Sequence, residues 1–98
     1  MEVADEVIHQ PIRLRVMAAL TALDAEEEGL DFTRLKGLTG ATDGNLGTHI
    51  DYLARAGYVE VSKAFVGRRP RTTIKASPAG RAAFARHVAF LKTIIGGR

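Results

Sequence analysis

Apolar residues recur along this chain with the spacing of helices, except in one stretch near its middle. From Thr42 onward, Leu46, Ile50, Leu53 and Gly57 fall at i, i+4, i+7 and i+11, one face of an α-helix, and Thr42 stands where an N-cap is needed. Upstream, residues 11–24 carry Ile12, Val16, Ala19 and Leu23 at the same period, with Pro11 placed to open the helix at little cost. Leu14, Met17 and Leu20 widen that stripe beyond what one packing partner uses. Residues 30–40 read as a short second helix, with Asp31 as its N-cap, Leu35 and Leu38 facing inward and Gly40 as its stop. The acidic run before it, AEEEG, is a solvated loop. After Gly57 the period changes. Residues 58–66 alternate loosely and are rich in valine and aromatics, residues 67–70 supply turn chemistry, and residues 71–76 contain the strand formers Thr72, Thr73 and Ile74. Together these predict a β-hairpin. Ser77 and Pro78 then cap and open a last helix whose stripe is Phe84, Val88, Leu91 and Ile95, with Phe90 and Ile94 left off it.

Length and composition narrow the classes. With 98 residues, 46% of them hydrophobic, the chain makes one folded domain over residues 1–98, without repeats or a flexible linker. A domain this small buries a modest share of its surface, so a second copy would add useful burial. The N-terminal MEVADEVIHQ lacks the basic start and apolar core of a signal peptide, and no apolar run approaches the ~20 residues of a bilayer crossing. The expected location is the cytoplasm, with no membrane partner. Cysteine is absent, which excludes disulfides, thiolate metal sites and thiol nucleophiles. His9, His49 and His87 are scattered, without the close spacing of a metal site, so neither metal nor cofactor is expected. No Ser/His/Asp set, paired carboxylates or phosphate-binding glycine loop is present either, and the chain does not read as an enzyme.

Charge sharpens the picture. Residues 1–31 hold two arginines against eight carboxylates, a net of −6, whereas residues 32–98 hold twelve basic residues against Asp43, Asp51 and Glu60, a net of +9. Such a division suits one face meeting a polyanion.

The order helix, short helix, tight turn, helix, basic hairpin, helix is that of a winged helix-turn-helix: mainly α with a β-hairpin wing, comprising a three-helix core, a two-stranded wing and a C-terminal dimerisation helix. On the third helix, taking about 100° per residue from Leu46, Asn45, Thr48 and Tyr52 fall between roughly 200° and 260°, with His49 near 300°. That face offers amide, hydroxyl, phenol and imidazole groups suited to base edges. Asp43 and Gly44, at the start of the helix, join it as candidate contacts. Gly44 and Gly47 each weaken a helix by about 1 kcal/mol against alanine, a penalty offset if they admit a DNA backbone or a neighbouring helix. Relief of packing near the hairpin is the other explanation. At the hairpin tip, Arg68, Arg69 and Arg71 surround Gly67 and Pro70, a compact cationic projection fit for phosphates or the minor groove. Arg34, Lys36, Lys63 and Lys75 are further candidates for phosphate contact.

Four segments carry a resemblance: HQPIRLRVMAAL, DFTRLKGLTGATDGNLGTHIDYLARAGYVEV, FVGRRPRTT and SPAGRAAF. Over nearly the whole chain the sequence is similar to small winged-helix transcriptional regulators related to the MarR and ArsR groups. The resemblance implies a homodimer joined through its first and last helices, in keeping with their surplus apolar residues: Ile12, Leu14 and Met17 on one, Phe84, Val88, Phe90, Leu91, Ile94 and Ile95 on the other. It further implies double-stranded DNA as partner, with the helix at about residues 42–57 in the major groove. The wing at about 67–71 would lie at the minor groove or backbone, and the operator would be pseudo-palindromic. No residue points to a small-molecule effector. Two other functions fit the same fold: a winged-helix module that binds protein through its apolar terminal helices, and an RNA binder, for which Tyr52 and Tyr58 are the available aromatics.

Overall fold

Gln10, Asp31, Thr42 and Ser77 each precede a helix, and each side chain accepts a hydrogen bond from the backbone N–H three residues on, at 2.9, 2.7, 3.2 and 3.0 Å. A computed structural model of the protein describes residues 4–96. The helices these caps open are α1 (Pro11–Thr21), α2 (Phe32–Thr39), α3 (Asp43–Arg55) and α4 (Pro78–Ile95); strands β1 (Leu30–Asp31), β2 (Val59–Val66) and β3 (Arg69–Ala76) complete the chain. Each cap is worth about 1 kcal/mol, because it satisfies a donor that the helix leaves unpaired. Neighbouring arginines serve the opposite ends. Arg15 donates to the Thr39 carbonyl closing α2, and Arg81 donates to the Leu23 and Thr21 carbonyls beyond and at the end of α1. These cations also favour the negative ends of the helix dipoles.

The sheet is antiparallel with order β1-β3-β2. The hairpin predicted from sequence is present, and a third strand joins it: Leu30 and Asp31 pair with Ile74 and Thr73, tying the start of α2 to the base of the wing. The turn is shorter than the residues suggested. Val66 pairs with Arg69, so only Gly67 and Arg68 make the connection, while Arg69 and Pro70 belong to β3. Gly67 sits at φ 65, the left-handed region that the first position of such a two-residue turn requires. Pro70 opposes Phe65 in the second pair from the turn, a non-hydrogen-bonded position, so its missing N–H faces outward where β1 does not reach.

The core forms where α1, α2, α3 and the sheet meet, around the fully buried Ile8, Val16, Met17, Leu20, Leu35, Leu46, Leu53 and Ile74. For α3 the predicted stripe holds at Leu46, Ile50 and Leu53, but Gly57 is exposed and lies past the helix end. In α1 the buried residues are Val16, Met17 and Leu20, with Ile12, Ala19 and Leu23 only half-buried, and the helix stops at Thr21 rather than near Asp24. The core took neither stripe whole: it buries Val16 from one and Met17 and Leu20 from the other. Leu38, expected inward, is 52% exposed because α2 turns Leu35 and Thr39, with Phe32 partly buried, toward the core instead. In α4 the buried residues are Gly80, Ala83 and His87; of the predicted stripe, Phe84 packs half-buried against the core, Val88 and Leu91 are half-buried and Ile95 is exposed. Gly80 explains the choice: its Cα packs against the Tyr58 carbonyl, where a Cβ would collide with backbone. Only glycine lets α4 approach so closely there.

Candidate nucleic-acid interface

Burying Leu46, Ile50 and Leu53 turns the opposite side of α3 outward. Asn45, Thr48 and Tyr52 are exposed on that side, as are Asp51 and Arg55, which the sequence reading did not single out. Gly44 is exposed and Gly47 half-buried, and a Cβ added at either would meet no atom within 4 Å. Nothing inside the domain therefore requires glycine at these positions, which removes packing relief near the hairpin as their explanation. Asp43 falls elsewhere. It lies near 60° on the same wheel, roughly opposite Asn45, and its carboxylate pairs with Lys36 of α2 at 2.6 Å. There it complements the positive end of the α3 dipole, so the geometry does not bring it together with Asn45, Thr48 and Tyr52.

His49 is half-buried, not free on the outer face. Arg13, at the start of α1, reaches it: Nη1 lies 3.2 Å from His49 Nδ1, and the guanidinium carbon sits 4.1 Å from the centre of the Tyr52 ring. The same side chain donates through Nε to the Val7 carbonyl. Desolvation pushes the His49 pKa below its ordinary 6.5, and the Arg13 charge lowers it further. Sequence reasoning missed Arg13, because no periodicity relates residues 36 apart.

The segment before α1 is itself anchored. Asp5 accepts from the backbone N–H of Val7 and Ile8 at 2.9 and 3.1 Å, and from the Tyr58 hydroxyl at 2.8 Å, while its own N–H donates to His87 Nδ1 at 3.1 Å. The Tyr58 pKa is raised by desolvation first, then by the hydrogen bond to Asp5 and by that carboxylate's charge. His87 is thus a buried histidine with its partner, while His9 is exposed.

On the wing, strand alternation separates the residues that the sequence grouped. Arg69 and Arg71 share one face with Val66, Phe65 and Pro70 take the other, and Arg68 occupies the turn. All three arginines are exposed, but Arg71 lies 3.7 Å from Asp31, drawn back toward the cap of α2. Arg68 and Arg69 are the cations nearest the tip. Phe65 and Val66, 75% and 60% exposed beside them, were not read as surface from sequence; their strand-like alternation alone does not tell a wing from a buried hairpin.

Of the residues expected to join two copies, Met17 is fully buried in the domain's own core and has no surface to offer, because α1 packs by its Val16–Met17–Leu20 side. Ile12, Leu14, Phe84, Val88, Phe90 and Leu91 are half-buried, and Ile94 and Ile95 are 63% and 82% exposed.

Among the described residues no group of three or more His, Asp or Glu side chains is arranged to hold a metal, and no helix is long and apolar enough to cross a membrane. A polar face turned outward from the third helix, beside a hairpin ending in an arginine-bearing turn, defines a winged helix-turn-helix domain. Comparison with known proteins agrees: residues 12–95 match the winged helix DNA-binding domain family, and the chain belongs to it. An uncharacterized protein of Methanocaldococcus jannaschii is 32% identical over 83 residues, covering 85% of this chain and 86% of that protein. Among solved structures, the transcriptional regulator homologue protein from Pyrococcus horikoshii OT3 superposes with a TM-score of 0.82 at 29% identity, over 95% of this chain and 88% of that one. A MarR-like transcription regulator from Bacillus cereus ATCC 10987 superposes with a TM-score of 0.66 at 22% identity, over 94% of this chain and 68% of that one, a likeness of fold. The architecture is thus MarR-like, as the sequence resemblance implied.

Proposed function

We propose that the chain is a sequence-specific regulator of transcription that binds double-stranded DNA as a homodimer, with α3 in the major groove and the β2–β3 wing at the minor groove or backbone. The observation that carries this reading is the outward face of α3. Asn45, Thr48 and Tyr52 stand clear of the core seam on a helix thinned by two glycines that the domain's own packing does not need. An Asn amide pairs with adenine through two hydrogen bonds, and Thr offers thymine a methyl contact. Arg68 and Arg69 supply phosphate or minor-groove contacts from the wing. Membership of a DNA-binding family and the fold shared with a Pyrococcus horikoshii regulator homologue support the same partner. Two-fold symmetry would set half-sites about one helical turn apart.

Titration with random duplex DNA at increasing salt, followed by selection from a randomised pool, tests it. Log K should fall steeply with log salt, and the selected site should bind at least about a thousandfold tighter than random sequence. Indifference to duplexes in dilute buffer would sink the proposal.

A further inference from the structure

Arg13 meets the recognition face at two residues, and the chemistry of a guanidinium restricts what one of them can be. A guanidinium carries five donors and no acceptor. At 3.2 Å from Arg13 Nη1, His49 Nδ1 therefore accepts, which makes the ring neutral with its one proton on Nε2. Arg13 is not free to swing away. Its Nε is bonded to the Val7 carbonyl, its plane is engaged over Tyr52 as a cation–π contact, and Val7 sits in a turn pinned by Asp5 and by the fully buried Ile8.

We infer that Arg13 is a positioning residue: it sets His49 as a fixed Nε2–H donor at the edge of the recognition face and thereby decides base preference at one position of the DNA site, against cytosine. In the major groove guanine, adenine and thymine each present an acceptor, whereas cytosine presents only its amino donor. A donor that cannot change tautomer is satisfied by three bases and left unpaired by the fourth. The charged group that meets the imidazole is Arg13 from α1, whose guanidinium also covers Tyr52 one turn along α3. Arg13, the group facing Nδ1, supplies no acceptor that would favour a proton there. This inference rests on the DNA-binding reading above and adds to it a residue that makes no contact with the base itself.

The tautomer is testable without a variant. Long-range nitrogen-15 NMR on the intact protein at neutral pH should show His49 protonated at Nε2 alone; a proton at Nδ1 would overturn the inference even if DNA binds well. Affinities of wild type, Arg13→Gln, Arg13→Lys and His49→Ala for the selected duplex and its single-base variants test the consequence. Wild type should show a cytosine penalty of about three- to tenfold at one position, the scale of a single neutral hydrogen bond. That penalty should vanish in His49→Ala and Arg13→Gln and be partly restored in Arg13→Lys, and His49 in Arg13→Gln should titrate closer to its ordinary value. Uniform weakening of all duplexes by Arg13→Gln, with the cytosine penalty intact, would make Arg13 a phosphate contact and refute the inference alone. A wild type with no preferred duplex would take down the DNA-binding reading and this inference together.

Discussion

Gly44 and Gly47 show what a single residue reveals when its surroundings are known. Each forgoes about 1 kcal/mol of helix stability, and each would accept a methyl group without touching the rest of the domain. Replacing both with alanine should therefore raise the stability of the free protein by about 1–2 kcal/mol in denaturant unfolding. The same change should weaken binding to the selected duplex, and an undiminished affinity would show that close approach to DNA is not what the glycines serve. His49 carries a second consequence. Its folded pKa lies below the ordinary 6.5 through desolvation and the Arg13 charge. As pH falls, the unfolded chain takes up the proton first, so the stability His49 contributes is complete above that ordinary value and is lost as pH drops through the folded one. Thermal midpoints should stay level from pH 8 to about 7 and decline below about 6.5, and His49→Gln should lose its share of the decline.

At the scale of elements, α3 and the wing divide the work by chemistry. The wing cations carry charge and no donor–acceptor code, so Arg68→Ala with Arg69→Ala should weaken all duplexes alike and reduce the slope of log K against log salt by about two per subunit. Arg71→Ala should have a smaller effect, since that side chain is partly engaged with Asp31. Asn45→Ala or Thr48→Ala should instead leave the slope unchanged and alter which sequences are preferred, by about 1–3 kcal/mol at the affected position. Competition binding across a panel of single-base variants separates the two patterns, and their reversal would exchange the roles assigned to helix and wing. Strand β1 connects the two devices, since Leu30 and Asp31 pair with β3 immediately before Asp31 caps α2. The helix-turn-helix and the wing therefore share one backbone hydrogen-bond network.

For the whole molecule, the outstanding apolar surface is on α4. Ile94 and Ile95 are exposed at its end, and Phe84, Val88, Phe90 and Leu91 are only half-buried in one copy of the chain. A proposed second copy would cover them, and burying large aliphatic side chains in this way contributes on the order of 1.5–3 kcal/mol each. Ile94→Asp with Ile95→Asp should leave the helical signal in circular dichroism intact, because neither side chain supports the core, and should yield monomers in sedimentation. Binding to a duplex with two half-sites should then fall toward that of a single half-site. Sedimentation of unaltered protein as a monomer at micromolar concentration would remove the dimer from the proposed function.

How far the sequence alone reaches is visible in particular residues. Asp31, Thr42 and Ser77 were legible as caps, Leu46, Ile50 and Leu53 as a core face, and the outward set Asn45, Thr48 and Tyr52 followed from them. Capping and periodicity are local: they depend on hydrogen bonds and side-chain directions within about four residues. Only the tertiary structure decided which faces of α1 and α4 are buried, and it sent Met17 inward and Ile95 outward. It also added β1 to the hairpin, shortened the turn to Gly67 and Arg68, and brought Arg13 onto His49 and Asp5 onto His87. The last two depend on residues 36 and 82 apart along the chain meeting in space. Packing selects a face by close fit as well as by apolarity, as Gly80 against the Tyr58 carbonyl shows, and a hydrogen bond between such distant residues leaves no periodic trace along the chain.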